Sequence, residues 1–203
     1  MAYANWLQPS KTSGNGNDTV NVSALSSNTG RNVRSTSMTF KAANCDDVVR
    51  TVNQAGKPEF VSIQATAAVV KEGGTLTLTG TSNSSVLTFS LGSGGTLVIT
   101  LPASYTAAGQ TTDNGVAITG DPGASAEYNF SIQFTGIAEN TSFSELTKQV
   151  IVTDHAGNTS TCTITQAANE ATLSVTPASV DLPWDASTTA SFTVTSNTNW
   201  TIE

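Results

Sequence analysis

A tryptophan, a glutamine and a Thr-Ser-Asn turn recur along this chain in a fixed order, so the sequence consists of repeated units. The matching stretches are Asn5 and Trp6 with Asn199 and Trp200, residues 51–55 with residues 163–167, and residues 81–83 with residues 195–197. When the units are aligned on these residues, the N-terminal segment contains only the second part of a unit, its back half. The C-terminal segment contains only the first part, its front half. Such an array is typical of proteins that carry and present modules rather than enclose a substrate.

The two half units together have the size of one module. The stretch from Gln166 to Trp200 and the stretch from Trp6 to Gln54 approach, in sum, the roughly 100 residues of an immunoglobulin-like sandwich. Each half alone would leave sheet edges unpaired and a core half filled. Either the polypeptide continues past Glu203, or another subunit completes the halves.

Composition favours β-structure and disfavours nucleic-acid binding. Charged residues make up only 11% of the chain, and Ser and Thr are abundant, which is typical of strands with hydroxyl-lined faces. The net charge is -7 and the eight basic residues are scattered, whereas a phosphate-binding surface needs clustered ones. Neither a signal peptide nor a membrane span is predicted, because no apolar stretch is long enough. Taking Met1 as the natural start, we expect a protein that stays in the cytosol or is released by lysis.

Apolar and hydroxyl-bearing residues alternate in six stretches, which predicts half-buried antiparallel strands. The stretches are residues 75–79, 97–101, 128–134, 150–152, 161–165 and 191–195. Turn signals rich in Gly, Asn and Asp separate them, at residues 13–17, 72–74, 92–95, 113–115, 121–123 and 156–158. Short strands at this spacing predict a β-sandwich. One helical candidate, residues 142–148, is expected to be a single turn or part of a loop.

The predicted fold class is therefore all-β, with tandem immunoglobulin-like β-sandwich modules of which the first and last are incomplete. Residues 1–56 are predicted to form a partial module, 57–168 a sandwich, and 169–203 the front half of a further module. The central module is longer than its neighbours, with an insertion at about residues 101–143. The insertion either extends a hairpin or loop that contacts partners, or adds strands to a larger sheet.

Both half units resemble a known module. In the N-terminal half, Asn5, Trp6, the Ser-Gly-Asn-Gly-Asn turn at residues 13–17 and the strand that ends at Gln54 resemble the second half of the BACON domain. Residues 173–200 resemble its front half. BACON is an immunoglobulin-like module of Bacteroidetes surface proteins and of the phages that infect them. Residues 152–160 are similar to the late hairpin of many bacterial and phage immunoglobulin-like repeats, where Ala-Gly-Asn forms a tight turn.

The resemblance implies a structural role. Bacterial members follow a signal peptide and often accompany glycan-degrading enzymes, and this sequence departs from that pattern. What remains is the setting of crAss-like Bacteroides phages, which implies a virion protein made in the host cytoplasm, a head fibre or auxiliary capsid decoration protein. The expected partners are capsid or other virion proteins, and a homo-oligomer is expected. The alternative is a carbohydrate-binding or spacer module at the bacterial cell surface, with a host surface glycan as partner.

We also expect that a partner completes the N-terminal half unit by strand addition, because an unpaired sheet edge invites it.

No residue pattern predicts catalysis, so we expect no enzyme, no catalytic residue, no metal site and no cofactor. His155 is the only histidine and lies in a turn motif, which favours an exposed loop residue over a general base. Asp46 and Asp47 would point to opposite faces of an extended chain, which disfavours an acid pair for glycoside hydrolysis. Asp113 and Asp121 begin turn motifs and are explained as turn residues before metal ligands.

Carbohydrate binding would use exposed aromatic rings, and Trp184 and Tyr105 are the candidates because both lie in loop-like sequence contexts. For Trp184 a core and a surface position remain equally open. Trp6 and Trp200 occupy a fixed repeat position, which is more typical of a core residue. The cysteines, Cys45 and Cys162, lie at different repeat positions and are expected to be free thiols on strands.

Overall fold

The computed structural model describes residues 3–185 and 187–203, and these residues are built almost wholly of β-strands. The strands are β1 (Leu7–Pro9), β2 (Val22–Ala24), β3 (Arg34–Phe40), β4 (Val48–Gln54), β5 (Val61–Ile63), β6 (Thr66–Val69), β7 (Gly74–Ser82), β8 (Leu87–Leu91), β9 (Ser104–Ala107), β10 (Gln110–Asp113), β11 (Tyr128–Ile137), β12 (Leu146–Asp154), β13 (Thr159–Gln166), β14 (Leu173–Thr176) and β15 (Thr193–Ser196). One 3-10 turn, Pro122–Ala124, precedes β11. The chain is all-β, as its composition predicts.

Residues 57–168 form a two-layer sandwich, named here the central sandwich. One layer is a five-stranded sheet in the order β10-β9-β11-β7-β5, and the other is a four-stranded sheet in the order β6-β13-β12-β8. The strands pair antiparallel, except that β6 runs parallel to β13. Apolar residues of both sheets alternate into one continuous core. Burial of such side chains stabilises the fold by about 1.5–3 kcal/mol each.

Aromatic rings fill the centre of this core. Phe89 of β8 lies 4.9 Å, centroid to centroid, from Tyr105 of β9 and 5.7 Å from Phe130 of β11, with both rings inclined to it. Inclined pairs at this distance add about 0.5–1.5 kcal/mol each beyond the area they bury. The contacts tie β8 of one sheet to two strands of the other.

The insertion contributes strands to the five-stranded sheet, which is the second of the two interpretations left open by the sequence. β9 and β10 form a hairpin, and β9 also pairs with β11 through Phe130 opposite Ala107. Tyr105 and Ala107 point into the core and are buried. The insertion is therefore part of the sandwich rather than a free loop.

The structure contains strands at five of the six predicted stretches, and the prediction for residues 97–101 is wrong. This segment contacts β12 through a single backbone hydrogen bond, from Leu97 N to Thr147 O at 3.0 Å. Gly94 and Gly95 precede it with φ angles of +90° and +80°. Positive φ angles turn the chain at these glycines, and residues 97–101 do not form a strand beside β12. Residues 142–145, part of the helical candidate, form a loop that leads into β12.

Residues 3–56, named here the N-terminal unit, contain two separate two-stranded sheets, β1-β2 and β3-β4. Three buried apolar residues, Trp6, Leu7 and Met38, form its small core. The guanidinium of Arg34 lies 4.8 Å from the centroid of the Trp6 ring, a cation–π contact. Trp6 thus occupies the core, as its repeat position predicts. The unit itself is an open half of a sandwich.

Residues 169–203, named here the C-terminal ribbon, contain one two-stranded sheet, β14-β15. Trp200 is 48% exposed, so the core position expected for it is wrong. The physical reason is that no second sheet covers the ribbon among the residues the structure describes. A ribbon of two strands has no interior in which to bury a tryptophan.

The Ala-Gly-Asn turn joins β12 and β13, as predicted from residues 152–160. Asp154 anchors the turn, since Asn158 donates its backbone N–H to Oδ1 at 2.8 Å and its side-chain amide to Oδ2 at 2.7 Å. Gly157 adopts a φ of +90°, and His155 is exposed in this turn. Among the described residues, no helix is long and apolar enough to cross a membrane.

Candidate assembly site

The repeated Thr-Ser-Asn turn has the same hydrogen bonds in two units. Asn83 accepts a hydrogen bond at Oδ1 from Phe60 N at 3.0 Å, and Asn197 accepts one at Oδ1 from Thr172 N at 2.8 Å. The backbone N–H groups of the two asparagines, in turn, donate to Phe60 O and Thr172 O, both at 3.4 Å. The C-terminal ribbon is therefore the counterpart of β5 and β7 in the central sandwich.

The repeated glutamine likewise occupies equivalent positions in two units. Gln166 ends β13 and donates its side-chain amide to Ala138 O at 2.8 Å. Gln54 ends β4 and donates its side-chain amide to Ser26 O at 3.0 Å. The hairpin β3-β4 is therefore the counterpart of the hairpin β12-β13. The N-terminal unit has the back half of a sandwich and the C-terminal ribbon has the front half.

Apolar side chains that the central sandwich buries are exposed at the equivalent positions of the C-terminal ribbon. Leu173 and Val175 of β14 are 60% and 47% exposed, whereas their counterparts Val61 and Ile63 of β5 are 9% and 6% exposed. Similarly, Phe192 is 49% exposed and its counterpart Leu78 is fully buried. The ribbon thus presents a core-forming face to solvent.

The N-terminal unit shows the complementary exposure. Phe40 at the end of β3 is 43% exposed, while its counterpart Val152 on β12 is fully buried. Phe40 lines a groove of about 360 Å³ together with Tyr3, Pro9 and Met38. Exposed apolar surface that is arranged around a groove is characteristic of interaction sites. Both half units therefore present an unfilled core.

A close joint connects the N-terminal unit to one end of the central sandwich. Arg31 donates its backbone N–H to Gly123 O at 2.9 Å, and Asn32 donates to Ala124 O at 3.0 Å. Nearby, Lys57 donates its backbone N–H to Gly30 O at 2.8 Å. The loop between β2 and β3 is thereby bonded to the 3-10 turn and to the linker that enters β5.

Three glycines allow the backbones of the joint to come this close. A Cβ on Gly30 would lie 2.3 Å from the carbonyl carbon of Ser125, and one on Gly56 would lie 2.1 Å from Arg31 O. A Cβ on Gly123 would lie 2.0 Å from Asn83 O. Only glycine fits at such distances. The joint is therefore packed backbone against backbone.

Charged side chains add to the joint. Arg31 donates from Nη1 to Asn83 O at 3.0 Å and pairs through Nη2 with the carboxylate of Asp121. The hydrogen bond with Asp121 raises the pKa of Arg31 above its ordinary value. On the same side, Lys57 Nζ lies 3.0 Å from a carboxylate oxygen of Glu127. These pairs are partly exposed, so each contributes modestly to stability and mainly fixes orientation.

The two candidate carbohydrate-binding residues differ in position. Trp184 is 98% exposed, in a turn of the C-terminal ribbon. Tyr105 is only 3% exposed because it lies on β9 with its ring against Phe89, so the expected loop position is wrong and its ring is not available to a sugar. A Gly- and Thr-rich sequence suggested a loop there, whereas tertiary pairing with β11 made it a strand. The two residues do not form one site.

The sequence did not predict a joint at Arg31, Asp121 and Gly123. Their only local signal was Gly30 next to Arg31 and the Asp-Pro-Gly turn, and these residues are about 90 positions apart. Cys162 is buried on β13, as expected, whereas Cys45 is exposed in the loop between β3 and β4, so the strand position expected for it is wrong; both are free thiols. Within residues 3–185 and 187–203, no group of three or more His, Cys, Asp or Glu side chains is arranged to hold a metal ion.

Comparison with solved structures gives loose similarities, one of them to a domain of a surface protein. The crystal structure of the collagen binding domain of Erysipelothrix rhusiopathiae surface protein RspB aligns with 10% sequence identity and a TM-score of 0.21. The alignment covers 74% of this chain and 63% of that chain, so this chain spans less than two thirds of the length of that structure.

The comparison with protein families gives a match in the N-terminal unit. No curated protein sequence matches the chain significantly. The family model of BACON, described as "Putative binding domain, N-terminal", matches residues 1–55. The match supports the BACON family for the N-terminal unit, the same segment that resembles the module in its sequence.

Proposed function

We propose that this protein is a structural component of a bacteriophage virion, a head fibre or auxiliary capsid decoration protein whose immunoglobulin-like modules serve attachment and assembly. The observation that carries the proposal is the close joint between the N-terminal unit and the central sandwich. Backbone hydrogen bonds at 2.9 and 3.0 Å and three tightly packed glycines hold the two parts in one orientation. A spacer or fibre needs a fixed orientation between its modules, because this orientation holds its far end at a defined place.

The surfaces of the protein fit an assembly role. Hydroxyl-bearing side chains cover the outer faces of β7 and β13, while the half units expose apolar positions that the central sandwich buries. The BACON match at residues 1–55 supports a module of the kind that also occurs in phage proteins. In this role the chain performs no chemistry, and its modules work through shape and adhesion.

Mass spectrometry of purified phage particles tests the proposal. Particles from a lysate of infected Bacteroides are separated from the bacterial envelope by density, and peptides of this chain are quantified against capsid proteins in each fraction. We expect the peptides in the particles, in a fixed ratio to the capsid proteins. Peptides that occur only in the envelope fraction would contradict the virion role.

A second candidate function, a glycan-binding or spacer module of a bacterial surface protein, is favoured by one observation. Trp184 is 98% exposed, and exposed tryptophan rings stack on the apolar faces of sugars. Binding of host surface polysaccharides by the purified chain, measured by calorimetry, tests this candidate. If it is right, Trp184→Ala abolishes binding and the matched variant Val98→Ala, which alters an exposed residue of the central sandwich, does not. Equal binding by both variants would exclude Trp184 as the sugar contact.

A further inference from the structure

We propose that the C-terminal ribbon of one copy completes the N-terminal unit of a second copy, so that the chains associate head to tail. The ribbon corresponds to β5 and β7 of the central sandwich, and the hairpin β3-β4 corresponds to β12-β13. One copy thus supplies the front half of a sandwich and the next supplies the back half. The proposal does not depend on the virion role, since it concerns only how copies of this chain bind each other.

The central sandwich provides the template for the contact. There, β6 pairs in parallel with β13, with Thr66 opposite Thr163 and Val69 opposite Gln166. The repeat places the segment that follows β14, which begins at Pro177, at the position of the segment that contains β6, and residues 51–54 at the paired position of β13. In the two-stranded sheet of the N-terminal unit, β4 pairs with β3 on one side, and no described strand pairs with its other edge. A parallel strand from a second copy would fill this edge.

The repeated glutamine also supports the ribbon of a second copy as the strand that binds β4. In the central sandwich, the amide of Gln166 reaches not only Ala138 O but also Lys71 O, at 3.2 Å, in the turn between β6 and β7. The amide of Gln54 reaches only the first of these two carbonyl positions, at Ser26 O, among the described residues. In the ribbon, the segment between β14 and β15 corresponds to the turn that contains Lys71. A docked ribbon would therefore offer Gln54 the carbonyl group that its own chain lacks.

Apolar surface on both sides fits this arrangement. Leu173, Val175 and Phe192 of the ribbon are about half exposed, at positions where the central sandwich has buried residues. The N-terminal unit has exposed Phe40 and Val48 facing the groove side of its hairpin, 43% and 42% exposed. Docking would bury both sets against each other and form a core like that of the central sandwich.

Charge also favours the pairing of these two segments. Residues 1–56 contain five basic and three acidic residues, a net charge of +2. Residues 169–203 contain four acidic residues and no basic one, a net charge of -4. The central sandwich is acidic as well, so the N-terminal unit is the one positively charged part of the chain. An acidic ribbon is attracted to it and repelled by a second ribbon.

The ribbon of a copy does not reach the N-terminal unit of the same copy. The joint lies at the end of the sandwich where β7 finishes, next to Asn83. The ribbon leaves at the other end, where Asn169 N bonds to Ser142 O and Gly74 begins β7. Nine residues of β7 span about 30 Å between these ends. The contact is therefore between copies, and repetition gives a filament or a closed ring.

Two full-length variants test the proposal when they are mixed. Val175→Asp places a charge on the ribbon and Phe40→Asp places one at the groove, while Val98→Asp changes an exposed apolar residue of the central sandwich as the control. Circular dichroism verifies that each variant folds. We expect the unaltered chain and Val98→Asp to form concentration-dependent oligomers in sedimentation velocity, and each of the other two variants to be monomeric.

A mixture of Val175→Asp and Phe40→Asp is expected to form a one-to-one dimer that grows no further, because each variant retains the half that the other has lost. A monomeric unaltered chain at every concentration would overturn the proposal, and would mean that another protein or a further segment is the occupant. Oligomers that survive in Phe40→Asp alone, or a mixture that stays monomeric while the unaltered chain associates, would overturn it as well, since they indicate a different interface.

Discussion

At the scale of single residues, two buried tyrosines show how differently the same side chain is accommodated in this core. The hydroxyl of Tyr128 donates to Ser84 O at 2.8 Å. The hydroxyl of Tyr105 is buried and has no hydrogen-bond partner among the described residues. Burial raises the pKa of both tyrosines above the ordinary value. Tyr128 thus stabilises the core through both its ring and a hydrogen bond of its hydroxyl, whereas Tyr105 stabilises it mainly through the apolar contacts of its ring.

The first prediction follows from this difference. Tyr128→Phe should lower the free energy of unfolding by about 1 kcal/mol, because Ser84 O loses its donor. Tyr105→Phe should cause no loss, because the hydroxyl that is removed has no partner to leave behind. Urea denaturation of the two matched variants measures both values. A loss for Tyr105→Phe as large as that for Tyr128→Phe would mean that the Tyr105 hydroxyl is hydrogen-bonded in solution.

The second prediction concerns alkaline pH. The folded protein raises the pKa of Tyr105 and Tyr128, so it favours the neutral phenol, and the unfolded chain ionises first. The stabilisation is complete below the unfolded pKa of about 10 and is lost as pH rises above it. The free energy of unfolding, measured from about pH 8 to about pH 12, should fall above about pH 10. In the double variant with both tyrosines changed to Phe, the free energy of unfolding should decrease less over this pH range. An equally large decrease would mean that other groups cause it.

At the scale of elements, local pattern predicted strands well and predicted their partners poorly. Alternation identified β7, β11, β12 and β13, because each has one face in a core and one in water. It failed for residues 97–101, where two positive-φ glycines redirect the chain. It also missed that β9 joins β11, because that pairing depends on residues more than 20 positions apart. The sequence did not predict the joint at Arg31 for the same reason, since Arg31 pairs with the distant residue Asp121.

The third prediction concerns this joint. Arg31→Ala removes the hydrogen bond to Asn83 O and the ion pair with Asp121, so the N-terminal unit should become mobile relative to the central sandwich. The expected loss is about 1 kcal/mol of joint stability, since the charged pair is partly exposed and the backbone hydrogen bonds of the joint remain. NMR relaxation of the two parts measures it: their rotational correlation times should diverge in the variant.

Lys41→Ala is the matched control for Arg31→Ala. It removes the exposed ion pair with Asp47 inside the N-terminal unit, and exposed pairs contribute little. The correlation times of the two parts should then remain equal. Independent motion in both variants, or in neither, would contradict the role assigned to Arg31.

At the scale of the whole molecule, the chain is a closed sandwich between two open halves. The N-terminal unit carries a net charge of +2 and the C-terminal ribbon one of -4, and they lie at opposite ends of the central sandwich. Each half has a small or absent core, so its stability should depend on what covers it. The closed sandwich has no such need, because its core is continuous.

The fourth prediction is a salt dependence of association between copies. Raising NaCl from about 50 mM to about 500 mM shortens the screening distance several-fold and should weaken head-to-tail binding. Sedimentation velocity of the unaltered chain and of Val98→Asp should give the same decrease. Association that is unchanged or stronger at high salt would indicate that apolar contacts act without help from the opposite charges.

The sequence by itself determined the repeat, its phase and the all-β class, because alternation, turn residues and recurring Trp, Gln and Asn are local properties of the chain. It also predicted a core position for Trp6 and Trp200, which is correct for Trp6 and wrong for Trp200. Only the tertiary structure decided that Tyr105 is buried, that Trp200 is half exposed and that Arg31 meets Asp121. Each of these depends on which distant strand or loop covers a residue. Burial results from contacts between segments far apart in the chain, and these segments leave no local signal in the sequence.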